Sequence, residues 1–275
     1  MTRPDRQRSK QERRARAALR AGRSSPPWST IAAVVVVVLF AGGVFGYAAL
    51  RSGAADERAA ALAGFVPSAD RQDPSTQIPG IVEKTFDGGQ HVTPAERVAY
   101  TTSPPLGGTH DQFWAACTGV VYAQPVRTEN LVHSMEHGAA WIAYDPARVS
   151  GGQLDQLAGR VRDQPYTALS PYPGLDQPIS LQSWGHQLTL TDAADPRVDQ
   201  FLTALRRNPY THPENGASCQ ALGPGQFDQD RPPPYQPPPP SSTVGTAGVR
   251  AETEAAGGPA PDGSGGALMP GGTGS

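Results

Sequence analysis

The chain has 275 residues, and only 17% of them are charged, which is below the usual share of a globular domain. The net charge of −2 conceals an asymmetry: residues 1–27 carry nine Arg and Lys against two acids, a net of +7, and the rest carries 14 against 23, a net of −9. The acidic part argues against nucleic-acid binding, so we expect no nucleic-acid partner.

Composition divides the chain into five segments. We expect a basic cytoplasmic tail over 1–27, a transmembrane helix over 28–50, a stalk linker over 51–77, one folded domain over 78–222 and a disordered Pro- and Gly-rich tail over 223–275. Roughly 145 residues are a comfortable length for one hydrophobic core. The tail contains too few apolar side chains to offset the entropy lost on ordering.

The transmembrane helix is predicted from the twenty uncharged residues Ile31–Leu50. At about 1.5 Å per residue they span about 30 Å, which matches the hydrocarbon core of a bilayer. The Arg-rich flank precedes this span, and the positive-inside rule then places the N-terminus in the cytoplasm and the domain outside the cell membrane. The alternative is a cleaved signal peptide, whose apolar region is usually shorter.

The lipid bilayer is therefore one expected partner, and two further partners are weaker expectations. Gly42 and Gly46 form a GxxxG pattern, which lets two helices approach closely and would support a homodimer. The proline tract near Pro239 favours an extended conformation without packing, which suits a spacer through the envelope or a ligand for SH3-like modules, and an envelope protein is the other possible partner.

The predicted elements of the domain alternate only partly between strands and helices. In chain order they are a strand over 97–102, a helix over 129–137, a strand over 139–144, a helix over 150–162, a strand over 166–170, a hairpin over 179–190 and a helix over 196–208. The helices show apolar residues at helical spacing, and the hairpin turns at Gly185. We predict an α+β fold, with a small mixed sheet covered by helices on one face.

Two cysteines, Cys117 and Cys219, fall in the part of the chain expected outside the membrane. An even number of cysteines in an oxidising compartment predicts one structural disulfide. A redox pair or a pair of copper ligands is the alternative, and the wide spacing does not favour it.

His133 and His137 are the most informative pair of residues. Four residues apart on a helix, they share a face and can bind one metal ion, with Glu136 directed to a similar side. The order HxxEH is also that of inverzincin peptidases, but a peptidase needs a third ligand, an open metal position and a substrate cleft. The other interpretation is that these histidines are hydrogen-bonded structural groups.

Several motifs taken together resemble the DUF3105 family, over about residues 81–219. They are Gly89-Gln90-His91-Val92, Val98-Ala99-Tyr100, Gly108-Thr109-His110, Trp114, the run from Leu131 to Gly138, Ser170-Pro171-Tyr172-Pro173 and Ser183-Trp184-Gly185. Proteins of this family are typically bacterial, often actinobacterial, and often membrane-anchored, and their function is unknown. The loop before His110 departs from the family pattern, which often reads Ser-Gly-Pro-His there.

The resemblance implies a metal site. The family pattern contains His at the positions of His91, His110, His133 and His137, and Glu at Glu136. The expected ligands of copper or zinc are His110, His133 and His137, with His91 as the fourth, while Glu136 would fix the tautomer of a ligand ring.

Three functions remain open at this point. The first is a membrane-tethered metal-binding domain in the envelope. The second is a metal-dependent hydrolase with Glu136 as general base. The third is a non-enzymatic envelope interaction module whose histidines are structural.

Overall fold

The computed structural model describes residues 28–253. The predicted basic tail over 1–27 and the last part of the predicted disordered tail, 254–275, lie outside these residues. The chain divides into two compact units, the first ending at Ala61 and the second beginning at Leu62.

The described residues of the first unit belong to one long helix, α1 (Trp28–Leu62), none of whose residues is buried. It is long and apolar enough to cross a membrane, with a mean hydropathy of 2.4 in its most apolar window, although a signal sequence meets the same criterion. The helix extends beyond the predicted span into the predicted stalk, because residues 54–62 are rich in Ala and other good helix formers. Dimerisation through Gly42 and Gly46 stays a prediction.

The second unit contains three α-helices and ten short strands among the described residues. The helices are α2 (Thr128–Glu136), α3 (Gly151–Val161) and α4 (Arg197–Leu205). The strands are β1 (Val82–Glu83), β2 (His91–Val92), β3 (Arg97–Ala99), β4 (His110–Asp111), β5 (Thr118–Val121), β6 (Ala140–Tyr144), β7 (Thr167–Pro171), β8 (Ile179–Ser183), β9 (His186–Leu190) and β10 (Val249–Ala251).

Six of these strands form the main sheet, in the order β1-β9-β8-β6-β7-β5. The pairs β1/β9, β9/β8 and β8/β6 are antiparallel, whereas β6/β7 and β7/β5 are parallel. The sheet is therefore mixed, and the predicted α+β class is confirmed.

Helices cover both faces of this sheet, not one. Alternate residues of β6 point to opposite faces: Ile142 packs with the apolar sides of α3 and α4, and Trp141 packs with the apolar side of α2. The sequence showed α3 and α4 clearly as amphipathic helices. It did not show which face of the sheet α2 covers. All nine residues of α2 are buried, so the helix has no solvent-exposed polar side from which its orientation could be predicted.

The folded unit begins before the predicted domain boundary at residue 78. The short 3₁₀ helix Pro74–Gln77 lies in the predicted stalk, yet Pro74 and Ser75 are buried. The Asp73 side chain accepts a hydrogen bond from the Ser75 N–H at 3.0 Å and thereby caps this turn.

The chain after Leu222 also returns to the domain, as far as residue 253. Phe227 is completely buried, with its ring 6.2 Å from that of Tyr122. Arg97 donates hydrogen bonds to the backbone carbonyls of Gln236 and Pro237 at 2.9 and 3.1 Å. Within the predicted Pro- and Gly-rich tail, the described residues therefore contact the fold at two places: the buried Phe227 ring and the carbonyl groups of Gln236 and Pro237, since proline lacks the N–H but keeps its carbonyl.

We expect Phe227→Ala to lower the free energy of unfolding by about 3–5 kcal/mol, the usual cost of removing a buried Phe side chain. Tyr210→Ala is the matched control, because Tyr210 is an exposed aromatic residue and its loss should change stability by less than about 0.5 kcal/mol. Denaturant titration of the full chain in a mild detergent measures both. Equal midpoints for the Phe227 variant and the unsubstituted protein would show that the tail does not contribute to the core.

Candidate metal centre

The buried helix α2 provides the central residues of the site. It carries His133 and Glu136, and His137 follows directly as its C-terminal cap. Gly138 ends the helix with φ +91°, and its N–H donates to the Met135 carbonyl at 2.9 Å. This conformation suits glycine, and an added Cβ would also collide with the His212 ring.

Two short parallel strands bring the other two histidines to α2. In the β2/β4 pair, His91 lies directly opposite His110. Their rings are 4.8 Å apart, and they lie 5.0 and 4.8 Å from the His133 ring. We call His91, His110, His133 and Glu136 the inner group; one potential ligand atom from each lies within 4.8 Å of all the others.

Backbone carbonyls fix the tautomers of three rings. The Nδ1 atoms of His110, His133 and His137 lie 2.8, 2.6 and 2.6 Å from the carbonyl oxygens of Gly108, Asp111 and Ser218. A carbonyl only accepts hydrogen bonds, so each Nδ1 must carry the proton and donate. In the neutral ring the lone pair is then on Nε2, which is the arrangement of a histidine prepared for metal coordination.

The Glu136 carboxylate is directed at the Nε2 atom of His110. Its Oε1 accepts a hydrogen bond from the Gly89 N–H at 2.5 Å, whereas its Oε2 lies 2.7 Å from His110 Nε2 and 3.8 Å from His91 Nε2. Both His110 Nε2 and Glu136 Oε2 are buried, and neither has a hydrogen-bond partner besides the other. With neutral His110, two lone pairs face each other, which is unfavourable unless a cation or a proton lies between them.

Burial lowers the pKa of His91, His133 and His137 and so favours their neutral form. It lowers the pKa of His133 to about 2, with further lowering from the neighbouring His110 and His137. It also lowers the pKa of His137 and that of His91. For Glu136, burial raises the pKa, but contact with His110 and the Gly89 N–H outweighs burial, so that the net pKa is lowered and the carboxylate is ionised.

A second group lies beside the first and includes the same His133. His137 Nε2 is 3.0 Å from Glu214 Oε2, and the His133 and His137 rings are 4.6 Å apart. We call His133, His137 and Glu214 the outer group, since the Glu214 side chain is 41% exposed whereas that of Glu136 is 0% exposed. The Trp114 ring packs on both histidines, at 5.6 and 4.8 Å.

The structure thus distributes the expected ligands over two groups. His91, His110 and His133 meet in the inner group together with Glu136, which we expected behind the ligands. His137 lies in the outer group. The sequence did not indicate Glu214, because it lies in a loop far along the chain from α2 and belongs to no recognisable motif. In the folded chain its N–H donates to the Glu136 carbonyl at 3.2 Å, which places it beside the helix.

The remaining histidines have other surroundings. His212 Nδ1 donates to the Glu136 carbonyl at 3.2 Å and its ring lies against Gly138. His186 forms a separate group with Asp73 and Glu83, in which His186 Nε2 is 2.9 Å from Asp73 Oδ2.

Sulfur ligands are absent from both groups. Met135 is directed into the apolar cluster on the α2 side of the sheet, and Cys117 and Cys219 form the predicted disulfide, with Cα atoms 4.8 Å apart. The predicted disulfide is confirmed, and no free thiol remains.

The fold and the site together define an α+β domain with a buried cluster of His and Glu. The family described as "Protein of unknown function (DUF3105)" matches residues 91–221, so the chain carries a DUF3105 domain and the resemblance expected from its motifs is confirmed. No curated protein and no solved structure matches the chain.

Proposed function

We propose that this domain binds one zinc or copper(II) ion in the inner group. The observation that carries the proposal is the pair of buried atoms His110 Nε2 and Glu136 Oε2, which lie 2.7 Å apart and have no hydrogen-bond partner besides each other. Where His110 Nε2 carries no proton, a divalent cation coordinated by both atoms would replace the repulsion of their lone pairs with two favourable bonds.

The donor set supports these two metals. Three imidazoles and one carboxylate are common ligands of Zn²⁺, and imidazole also suits Cu²⁺. A tetrahedral zinc site with bonds of about 2.0–2.1 Å separates its ligand atoms by about 3.3–3.4 Å. The inner-group atoms lie within 4.8 Å of one another, and His110 Nε2 and Glu136 Oε2 lie only 2.7 Å apart, so side-chain rotations that separate this pair and draw the other atoms in would form such a site. Copper(I) is less suited, since it favours the thiolate and thioether ligands that are missing here.

We further propose that α1 anchors the domain to the outer side of the cell membrane. The net charge of +7 before the apolar span supports an N-terminus in the cytoplasm, and a disulfide suits an oxidising compartment outside it. A tethered domain of this kind would bind or buffer metal ions in the envelope.

The arrangement gives less support to a hydrolase. As a metal ligand, Glu136 would not be available as a general base. The cavity of about 250 Å³ next to the C-terminal segment is lined by residues such as Arg97, Asn130 and Pro234, and by none of the four clustered histidines.

Bound metal tests the proposal directly. The full chain, purified in detergent without a His tag, is dialysed against trace zinc and copper and analysed by elemental analysis. We expect about one metal ion per chain and a background level in His133→Asn. Asparagine keeps an N–H near the position of Nδ1, so the hydrogen bond to the Asp111 carbonyl is retained while Nε2 is removed.

His186→Asn is the matched control, because His186 belongs to the separate group with Asp73 and Glu83. It should retain the full metal content. If His186→Asn lost the metal and His133→Asn kept it, the ion would be bound by the group of Asp73, Glu83 and His186, and our proposal would be wrong. A folded chain that binds no metal would overturn the proposal and favour the interaction module with structural histidines.

A further inference from the structure

Resting on the proposed function, we propose that the outer group is a receiving position, where a metal ion leaving water binds first and from which it passes to the inner group. Glu214 and His137 would capture the ion. His133, which belongs to both groups, would transfer it inward.

The first argument is that His133 can bind only one ion at a time. Its Nδ1 donates to the Asp111 carbonyl at 2.6 Å, so Nε2 is its single coordinating atom. The two groups therefore cannot both be complete with separate ions. They are alternative positions for one ion, related by exchange of the other ligands around His133.

The second argument is the difference in exposure between the two carboxylates. Glu214 is 41% exposed and Glu136 is 0% exposed. A hydrated divalent cation must lose water before it enters a buried group, and an exposed carboxylate can replace one of its waters while the others stay bound, which spreads the desolvation cost over several steps. Glu214 can therefore replace the first waters while the cation is still in contact with solvent.

The third argument is that the outer group is fixed in place beside the inner one. The Glu214 N–H donates to the Glu136 carbonyl, and His137 Nδ1 donates to the carbonyl of Ser218, the residue before the disulfide-bonded Cys219. Both hydrogen bonds join the returning segment 212–219 to the end of α2. The outer carboxylate is therefore held at the inner group by the backbone and the disulfide.

A competing route leads through His91, whose side chain is 39% exposed and belongs only to the inner group. The two routes differ in the residue that controls the loading rate. In the route proposed here, Glu214 controls the rate of loading without forming part of the final site. In the His91 route, Glu214 has no influence on the rate.

The experiment is stopped-flow loading of the metal-free full chain with zinc alone, followed by the fluorescence of Trp114 and the other tryptophans. We expect Glu214→Gln to slow loading by about tenfold or more, since it removes the charge that steers the cation. The equilibrium zinc content should stay at about one ion per chain. Glu83→Gln is the control, because Glu83 is an exposed acid outside both groups and its variant should load at the unsubstituted rate.

The outcomes separate this inference from the proposed function. If the unsubstituted chain binds zinc and Glu214→Gln loads equally fast, the receiving position is refuted and the metal site remains. If Glu214→Gln lowers the equilibrium zinc content to background, Glu214 is a ligand of the final site, and the two-position scheme is wrong. If the unsubstituted chain binds neither zinc nor copper(II), the proposed function fails and this inference fails with it.

Discussion

Removing the Cys117–Cys219 disulfide is expected to lower the free energy of unfolding of the folded unit by about 2–5 kcal/mol. The two cysteines are 102 positions apart, and closing a loop of that length removes much of the entropy of the unfolded chain. The chain-entropy model gives about 4–5 kcal/mol for such a loop, and measured losses in small secreted domains are similar or smaller.

The bond also positions part of the site. The Cys117 N–H donates to the Cys219 carbonyl at 3.0 Å, and the neighbouring Ser218 carbonyl accepts from His137 Nδ1. Without the disulfide, the segment that carries Glu214 would be held by hydrogen bonds and packing alone. We therefore expect a looser outer group as well as a less stable domain.

Denaturant titration of Cys117→Ala/Cys219→Ala, followed by tryptophan fluorescence, measures the loss. The unsubstituted protein with and without a reducing agent is the matched comparison, since reduction should reproduce the loss and should leave the double variant unchanged. If the reduced and oxidised proteins unfold at the same denaturant concentration, the bridge does not stabilise the domain.

The elements that the sequence predicted well are those with a clear periodic pattern. The amphipathic helices α3 and α4 place apolar residues such as Leu157 and Phe201 at helical spacing, and the β8/β9 hairpin turns at Gly185 with positive φ. These patterns are local, because they reflect which side of each element faces the core. Their bounds differ from the prediction by only a few residues.

The elements that the sequence missed depend on distant contacts. The strands β2 and β4 have two residues each, and β10 pairs with β3 across about 150 residues of chain. A two-residue strand has no periodicity of its own. The position of Phe227 in the core was also not predictable, because a single aromatic residue in a Gly- and Pro-rich segment does not show what it packs against.

The site could be predicted only where it depends on local spacing along a helix. The spacing of His133 and His137 predicted a shared helix face, and their rings lie 4.6 Å apart. The approach of Glu136 to His110 was not readable, because it requires β4 to pack against α2. The three carbonyls that fix the ring tautomers could not be predicted either. Every residue has a backbone carbonyl, so the sequence does not indicate which one lies beside a given ring.

Zinc is expected to stabilise the unsubstituted domain strongly. At a free concentration of 100 times its dissociation constant, a ligand that binds only the folded state adds about 2.7 kcal/mol to the free energy of unfolding. The inner group meets this condition, because β2, β4 and α2 bring its ligands together only in the folded chain. We expect a rise of about 5–11 °C in Tm, and no rise in Glu136→Gln.

Glu136→Gln also tests what holds the metal-free site together. If His110 is neutral, as its hydrogen bond to the Gly108 carbonyl permits, the Gln amide can donate to the His110 Nε2 lone pair while its oxygen still accepts from the Gly89 N–H. The metal-free variant should then be more stable than the metal-free unsubstituted protein, by about 0.5–1.5 kcal/mol.

A loss of stability in the metal-free Glu136→Gln variant would contradict the metal site. If a proton on His110 Nε2 pairs with Glu136 instead, the substitution leaves an uncompensated buried charge and should cost about 3–5 kcal/mol. Thermal unfolding of both metal-free proteins, and of both with zinc, separates the two cases. A stable metal-free Glu136→Gln variant that no longer responds to zinc is the result expected of a buried ligand set built for a cation. An unstable variant, beside an unsubstituted protein that does not respond to zinc, is the result expected of a structural ion pair.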